Sequence, residues 1–346
     1  PLIGRHEQIV FVVIDGLGMH LLRNLSAGRE TFLLQHTARE LHAIFPSTTA
    51  VALTSLGTGA YPAQHGLTGW WVYLEELGVI SEILPFVERF SKQNLASFGG
   101  KSEEIFKAPS LLPRFKYPTM VVTRNYISNS TYSRYWSGGC PSAGYETVHE
   151  GVDKVIERVL QASGPCYTHL YLPQLDSACH ERGVDHEVIH KVFELMNSEM
   201  QRLHDAIGGR ARLVISADHG HVNHQISRFI SHNEPIMDLL RCPPSGEPAV
   251  PNFHLKDGCA QAFKELFHSA FGDLFALLTQ DEVEQLELLG PGKLSPLARR
   301  RFGDFIGIAS EPHTIHYLHP QIKPVVHLGI HAGLTPGEML VPLILA

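Results

Sequence analysis

The chain has 346 residues, 44% of them hydrophobic and 18% charged. That is enough for one large α/β domain with a sizeable core, and it excludes a disordered or fibrous chain. The formal net charge of -7 leaves no basic excess to neutralise the phosphates of a nucleic-acid polymer, so none is expected as a partner. A small anionic substrate stays open, because bound cations reverse a local charge.

The five cysteines, Cys140, Cys166, Cys179, Cys242 and Cys259, are odd in number and irregularly spaced, with no CxxC pair. Neither a disulfide framework nor a thiolate zinc site is expected, and reduced thiols in a cytoplasmic protein are. The start at Pro1 shows no basic stretch followed by an apolar run. No apolar run approaches the ~18 residues of a membrane span, so no membrane association is expected. The 22 histidines far exceed what a metal centre needs, and the question is which of them stand in ligand context.

In chain order, the run from Gln8 to Ile14 is nearly continuously β-branched and predicts a buried strand of a parallel sheet. Further strands are expected at Thr119–Thr123, Tyr167–Leu172, Leu213–Ser216 and Pro324–His327. Amphipathic helices are expected over 150–162 and 186–207. Such alternation predicts a doubly wound, mostly parallel α/β sheet with helices on both faces. The prolines of 243–252 predict a loop, and 260–312 reads as helical and variable. Residues 223–323 are expected to form a small cap or insertion within a single catalytic domain.

In open α/β sheets the site lies beyond the carboxyl ends of the strands. Asp15 directly follows the first strand, where it also reads as a helix N-cap or turn residue. Ser47, Thr48 and Thr49 precede a helix of small residues. A phosphate is favoured at such a helix start, and a capping hydroxyl is the commoner use of these residues. Asp176 and His180, four apart after another strand, face one ion if the segment is helical. Asp218, His219, Gly220 and His221 follow a strand end directly, and such a polar group is costly to leave unpaired there. Near the C-terminus, Thr335 with Glu338 and Pro336 predicts a capping box, and His331 just before it is available as a ligand. This oxygen and nitrogen set suits two borderline divalent cations, zinc before manganese.

The order of these motifs resembles the alkaline phosphatase superfamily, and within it the type I phosphodiesterase/nucleotide pyrophosphatase family. The residues that carry the resemblance are Val13-Ile14-Asp15-Gly16, Phe45-Pro46-Ser47-Thr48-Thr49, Thr58-Gly59-Ala60-Tyr61-Pro62, His65-Gly66, Asp176 to His180, Asp218-His219-Gly220 and His331 to Pro336. The resemblance implies an alkaline-phosphatase-like fold and hydrolysis of a small phosphate-ester or nucleotide-like substrate. It implies Thr49 as nucleophile, with Thr48 the fallback, and a covalent phosphothreonine intermediate. One metal ion would be held by Asp176, His180 and His331. The other would be held by Asp15, Asp218 and His219 together with the Thr49 oxygen.

The chain departs from the family in one place. Phosphodiesterases of this kind often carry an asparagine after the His-Gly element, where this chain has Leu67-Thr68-Gly69-Trp70-Trp71. The third phosphoryl donor is therefore sought at the Ala50 backbone N–H or in a polar residue of 124–135. Trp70, Trp71 and Tyr73 are candidates for stacking a flat leaving group, and equally for core or rim packing. His65, His221 and His327 are available to orient ligands from behind. Phosphomonoester or phosphonate hydrolysis on the same site is the alternative chemistry. Transfer to an acceptor other than water, or a catalytically silent metal-binding module, is the alternative of another kind. A sulfatase is disfavoured because the Cys/Ser-x-Pro-x-Arg context is absent. A phosphoglycerate mutase relative is disfavoured because its nucleophile is a serine.

Overall fold

The computed structural model describes residues 3, 4 and 6–346. Gln8–Ile14 is a buried strand, as its composition predicts. Val10, Val12 and Ile14 enter one apolar cluster, and Val13 enters another on the opposite face. A strand covered on both faces needs apolar side chains at every position, which explains the continuous run.

This strand lies at the centre of a seven-stranded sheet. The spatial order is Thr37–His42, Leu340–Leu345, Arg212–Ser216, Gln8–Ile14, Cys166–Leu172, Thr119–Arg124, Ser142–Tyr145. The last five are mutually parallel, and Leu340–Leu345 pairs antiparallel with both its neighbours. Helices Val148–Gln161 and Glu187–Ile207 pack together on one face, matching the expected amphipathic stretches. Thr147 caps the first of them by accepting from the Glu150 N–H at 3.2 Å. The other face is covered by Thr49–Thr58 and Thr131–Ser137, through Ala50, Leu53, Tyr132 and Trp136. The architecture is the doubly wound α/β sheet expected.

A second seven-stranded sheet is antiparallel throughout, with spatial order Phe275–Thr279, Phe305–Ala309, Val250–Phe253, Ser245–Glu247, Trp71–Leu74, Val79–Glu82, Val87–Glu88. It packs on its own apolar cluster, in which Phe253, Phe263, Phe267 and Phe302 are fully buried. Residues 245–309, within the stretch expected as a cap, build this sheet together with residues 71–88.

Three local expectations are corrected. Residues 243–252 are not a loop. They contribute the hairpin Ser245–Glu247 and Val250–Phe253, whose burial in the second sheet outweighs the proline signal. Residues 260–312 are not uniformly helical, since Phe275–Thr279 and Phe305–Ala309 are strands between the helices. Pro324–His327 is not a strand: Val325 and Val326 are 70% and 41% exposed and lie along a cavity wall.

The strand ends are brought close by glycine. A Cβ on Gly220 would stand 2.0 Å from the Gly337 carbonyl oxygen, and one on Gly18 would stand 2.6 Å from the Gly220 Cα. Backbone packs on backbone here, and no side chain can yield. Gly18→Ala and Gly220→Ala should each lower the unfolding free energy by ~1–3 kcal/mol, measured by chemical denaturation. Gly164→Ala, with open space at its Cβ position, should leave it nearly unchanged.

Candidate metal centre and active site

The site is built where three parallel strands end side by side. Gln8–Ile14 lies between Cys166–Leu172 and Arg212–Ser216, with Ile14 paired to Leu172 and Val13 to Ser216. Asp15, Asp176 and Asp218 therefore leave adjacent strands at one edge of the sheet. Asp15 is not a helix cap, since Gly18 holds that position before Met19–Leu25. Asp15 and Asp218 are 1% and 2% exposed. Among the described residues, no Lys or Arg stands within ion-pair distance of the three carboxylates, whose basic neighbours are all histidines.

His219 Nε2 lies 3.3 Å from Asp15 Oδ1 and 3.6 Å from Asp218 Oδ2. Asp218 Oδ1 accepts from the N–H groups of Gly16 and His219, at 3.2 and 3.0 Å. Tyr171 donates its hydroxyl to Asp15 Oδ2. Asp15 Oδ1 and Asp218 Oδ2 are buried without a hydrogen-bond partner. Burial, together with the Asp218 and Asp176 carboxylates, pushes the Asp15 carboxyl well above its ordinary range. Buried, unpartnered carboxylate oxygens beside like charges are what a cation would relieve.

The second group gathers around Asp176. His180 Nε2 is 3.3 Å from Asp176 Oδ1 and 3.1 Å from His331 Nε2, and His331 Nε2 is 3.8 Å from that carboxylate oxygen. Burial alone would raise the Asp176 carboxyl, but His180 and His221 beside it hold it well below the usual range. Three rings are oriented in the same way. His180 Nδ1 contacts Gly329 O at 2.9 Å, His219 Nδ1 contacts Gly220 O at 3.0 Å, and His331 Nδ1 contacts Ser47 O at 3.0 Å. A carbonyl only accepts, so each Nδ1 carries a proton, and in the neutral ring each Nε2 presents a lone pair. Two such lone pairs facing each other at 3.1 Å, His180 and His331, fit an arrangement made for a cation. The donor set and the unpartnered atoms thus fit oxygen- and nitrogen-ligated divalent cations. Asp15, Asp218 and His219 form one compact group, and Asp176, His219, His221 and His331 form another.

The three candidate hydroxyls have different partners. Ser47 donates to Gly333 O at 2.8 Å, and Thr48 donates to Glu247 Oε1 at 2.7 Å. Thr49 Oγ1 faces the candidate ligands, 3.2 Å from His219 Nε2 and 3.5 Å from Asp15 Oδ2. Thr48 is the N-cap of Thr49–Thr58, yet its hydroxyl makes no capping bond. Its carbonyl takes the N–H groups of Val51 and Ala52, while the Ala50 N–H has no acceptor among the described residues. The helix start is therefore open to an anion. The Thr335 capping box forms as expected, with Glu338 accepting from Thr335 Oγ1 at 2.6 Å.

A cavity of about 480 Å³ opens from this site and is lined by Thr49, Trp70, Trp71, Asp176, His180 and His331 among others. Tyr73 does not line it, and its ring instead packs on His254 with centroids 4.6 Å apart. None of residues 124–135 lines it either. His221 donates to Asp176 Oδ1 at 2.7 Å, and His327 packs on the His180 ring. His65 lies apart from the ligands, bonded to Ser55 and to the Leu67 N–H, and burial pulls its pKa down to about 3.

Several lining residues were missed by sequence reasoning, Glu247 and Arg89 among them. Glu247 reaches the site from the second sheet and accepts from Thr48 and, at 2.6 Å, from the Trp70 N–H. Gly69, in the stretch where the family's asparagine is expected, has no room for a side chain: its Cβ would meet the Gly246 backbone at 2.8 Å and Glu247 Cγ at 2.9 Å. Arg89 also lines the cavity, stacked over Trp71. No local pattern marks either residue, because each is brought in by the pairing of the second sheet.

The fold is shared with solved structures of low sequence identity. Human ectonucleotide pyrophosphatase/phosphodiesterase 5 superposes with a TM-score of 0.70 at 16% identity, covering 97% of this chain and 87% of that one. An inactive variant of the murine protein, in complex with AMP, gives 0.68 at 14% identity over the same shares. Phosphonoacetate hydrolase from Sinorhizobium meliloti 1021, in complex with phosphonoacetate, gives 0.68 at 16% identity, covering 98% of this chain and 89% of that one. No curated protein matches the chain significantly. Among the described residues, no helix is long and apolar enough to cross a membrane. The family profile of the type I phosphodiesterases/nucleotide pyrophosphatases matches residues 9–262, a stretch that holds Asp15, Thr49, Asp176, His180, Asp218 and His219. The same motifs, in the same order and drawn together at one sheet edge, make this chain a member of the type I phosphodiesterase/nucleotide pyrophosphatase family.

Proposed function

We propose that the chain is a two-zinc hydrolase of small phosphodiesters or pyrophosphates that works through a phosphothreonine at Thr49. The observation that carries this reading is the position of Thr49 Oγ1, at an open helix start and against His219 and Asp15. Asp15, Asp218, His219 and the Thr49 oxygen would hold one ion, and Asp176, His180 and His331 the other. His221 orients Asp176 through its 2.7 Å hydrogen bond. When bound, such ions supply Lewis-acid charge that lowers the pKa of a ligated hydroxyl or water and neutralises phosphoryl oxygens.

Thr49, its proton released to solvent, attacks phosphorus, and the bond from phosphorus to the leaving oxygen breaks as that oxygen takes up a proton. The Ala50 N–H stands at the helix start, where it can donate to a phosphoryl oxygen. Water then attacks the phosphothreonine and frees Thr49. Trp70 and Trp71 offer flat surfaces to the leaving group. Burial raises the Glu247 carboxyl beside Thr48 against the opposing pull of its two donors, and in its ionised form it favours a phosphoryl group with one charge over the dianion of a monoester. Phosphonate hydrolysis on the same site is the second reading, supported by the shared fold with phosphonoacetate hydrolase. A cytoplasmic location remains part of the proposal and draws on the five free cysteines.

Thr49→Ala should lower kcat for bis-p-nitrophenyl phosphate by about 10³-fold or more while elemental analysis finds the metal content unchanged. Near-normal turnover would move the nucleophile to Thr48 or end the covalent route. Asp218→Asn should lose about one of two zinc equivalents per chain, and unchanged zinc content would contradict its role as a ligand. Wild-type protein should cleave bis-p-nitrophenyl phosphate faster than p-nitrophenyl phosphate, and the reverse order would make it a monoesterase.

A further inference from the structure

Arg89 is 8% exposed and lines the same cavity, with none of the candidate ligands among its recorded contacts. Its guanidinium lies 3.7 Å over the Trp71 ring and 5.1 Å from the Phe90 ring, and Nη1 donates to Pro244 O at 2.7 Å. Phe90 in turn stacks on His319 with centroids 4.7 Å apart. Among the described residues, Arg89 has no carboxylate within ion-pair distance, and the two nearby carboxylates are occupied. Glu88 accepts from the Phe90 and Ser91 N–H groups, and Glu82 pairs with Lys92. Burial pulls the guanidinium pKa down to about 10, with Glu82 acting in the other direction.

A buried cation without a counter-ion is costly, and stacking on indole offsets only part of that cost. The remaining donors of a planar fork suit a carboxylate or phosphoryl group. Lys323 and His319 also line the cavity, His319 against Phe90. Building on the proposed phosphoryl site, we propose that Arg89 forms a distal anion subsite. The substrate would then be a phosphate ester or phosphonate whose leaving side carries a second anionic group beyond a portion flat enough to lie along Trp71.

The test is a binding measurement, so it does not depend on turnover. Isothermal titration of zinc-loaded protein would compare phenylphosphonate, para-phosphonobenzoate and para-phenylene bisphosphonate. At least one of the two doubly anionic ligands should bind about tenfold tighter than phenylphosphonate. Which of them binds tighter identifies the second anion as carboxylate or phosphoryl. Arg89→Gln should abolish the preference and leave phenylphosphonate affinity unchanged, whereas Arg89→Lys should keep part of it. Thermal melting of each variant reports on folding. Equal binding of all three ligands by the wild type, or a preference that survives in Arg89→Gln, overturns the subsite. A loss of phenylphosphonate binding in both variants also overturns it, because Arg89 would then be a packing residue. Failure of the hydrolase reading would show separately, as no cleavage of bis-p-nitrophenyl phosphate by the zinc-loaded wild type, and the ligand preference would still decide the subsite.

Discussion

The site depends on the parallel pairing of one strand with two others. Because Gln8–Ile14 runs between Cys166–Leu172 and Arg212–Ser216 in the same direction, their carboxyl ends coincide and three aspartates meet. Antiparallel pairing would have sent one of them to the opposite edge. Hydrophobic burial on both faces of the sheet holds this arrangement against the repulsion it creates. The electrostatic cost is local, and the basic groups that face it among the described residues are histidines rather than Lys or Arg.

The surrounding contacts serve orientation more than stability. Three histidines are turned by backbone carbonyls so that Nε2 faces the centre. Those carbonyls belong to Gly329, Gly220 and Ser47, so the C-terminal segment and the loop before Thr49 are tied into the same centre. His331 illustrates this, since its ring stacks on His219 with centroids 3.8 Å apart while its Nδ1 is held beside the helix of Thr49. A hydrogen bond here adds little to stability but sets which nitrogen carries the proton.

The second sheet supplies what the first cannot. The parallel sheet ends in the candidate ligands and Thr49, and the rest of the cavity wall comes from elsewhere. The antiparallel sheet brings Trp70, Trp71, Arg89 and Glu247 to the cavity, joining residues from two distant stretches of chain. Glu247 connects the two parts, tying the start of the Thr49 helix to the strand bearing Trp71.

By itself the amino-acid sequence determined the parallel sheet, its central strand and the residues at the strand ends. Those features are local: a continuous apolar run, a ligand-type side chain right after it, a small-residue helix behind a Thr pair. The Thr335 capping box was legible for the same reason. Tyr171, Glu247 and Arg89 were not legible, and neither was the bond from His221 to Asp176. Tyr171 meets Asp15 through sheet register, and Glu247 meets Thr48 across 199 residues of chain. The hairpin that carries Glu247 reads as a loop because of its prolines, and only burial against the second sheet makes it a strand. Pro324–His327 shows the converse, a segment with two β-branched residues that lies along the cavity wall without strand pairing among the described residues. Local pattern decides which residues stand at a strand end, whereas only tertiary packing decides which distant side chains face them, because that depends on how the two sheets are joined.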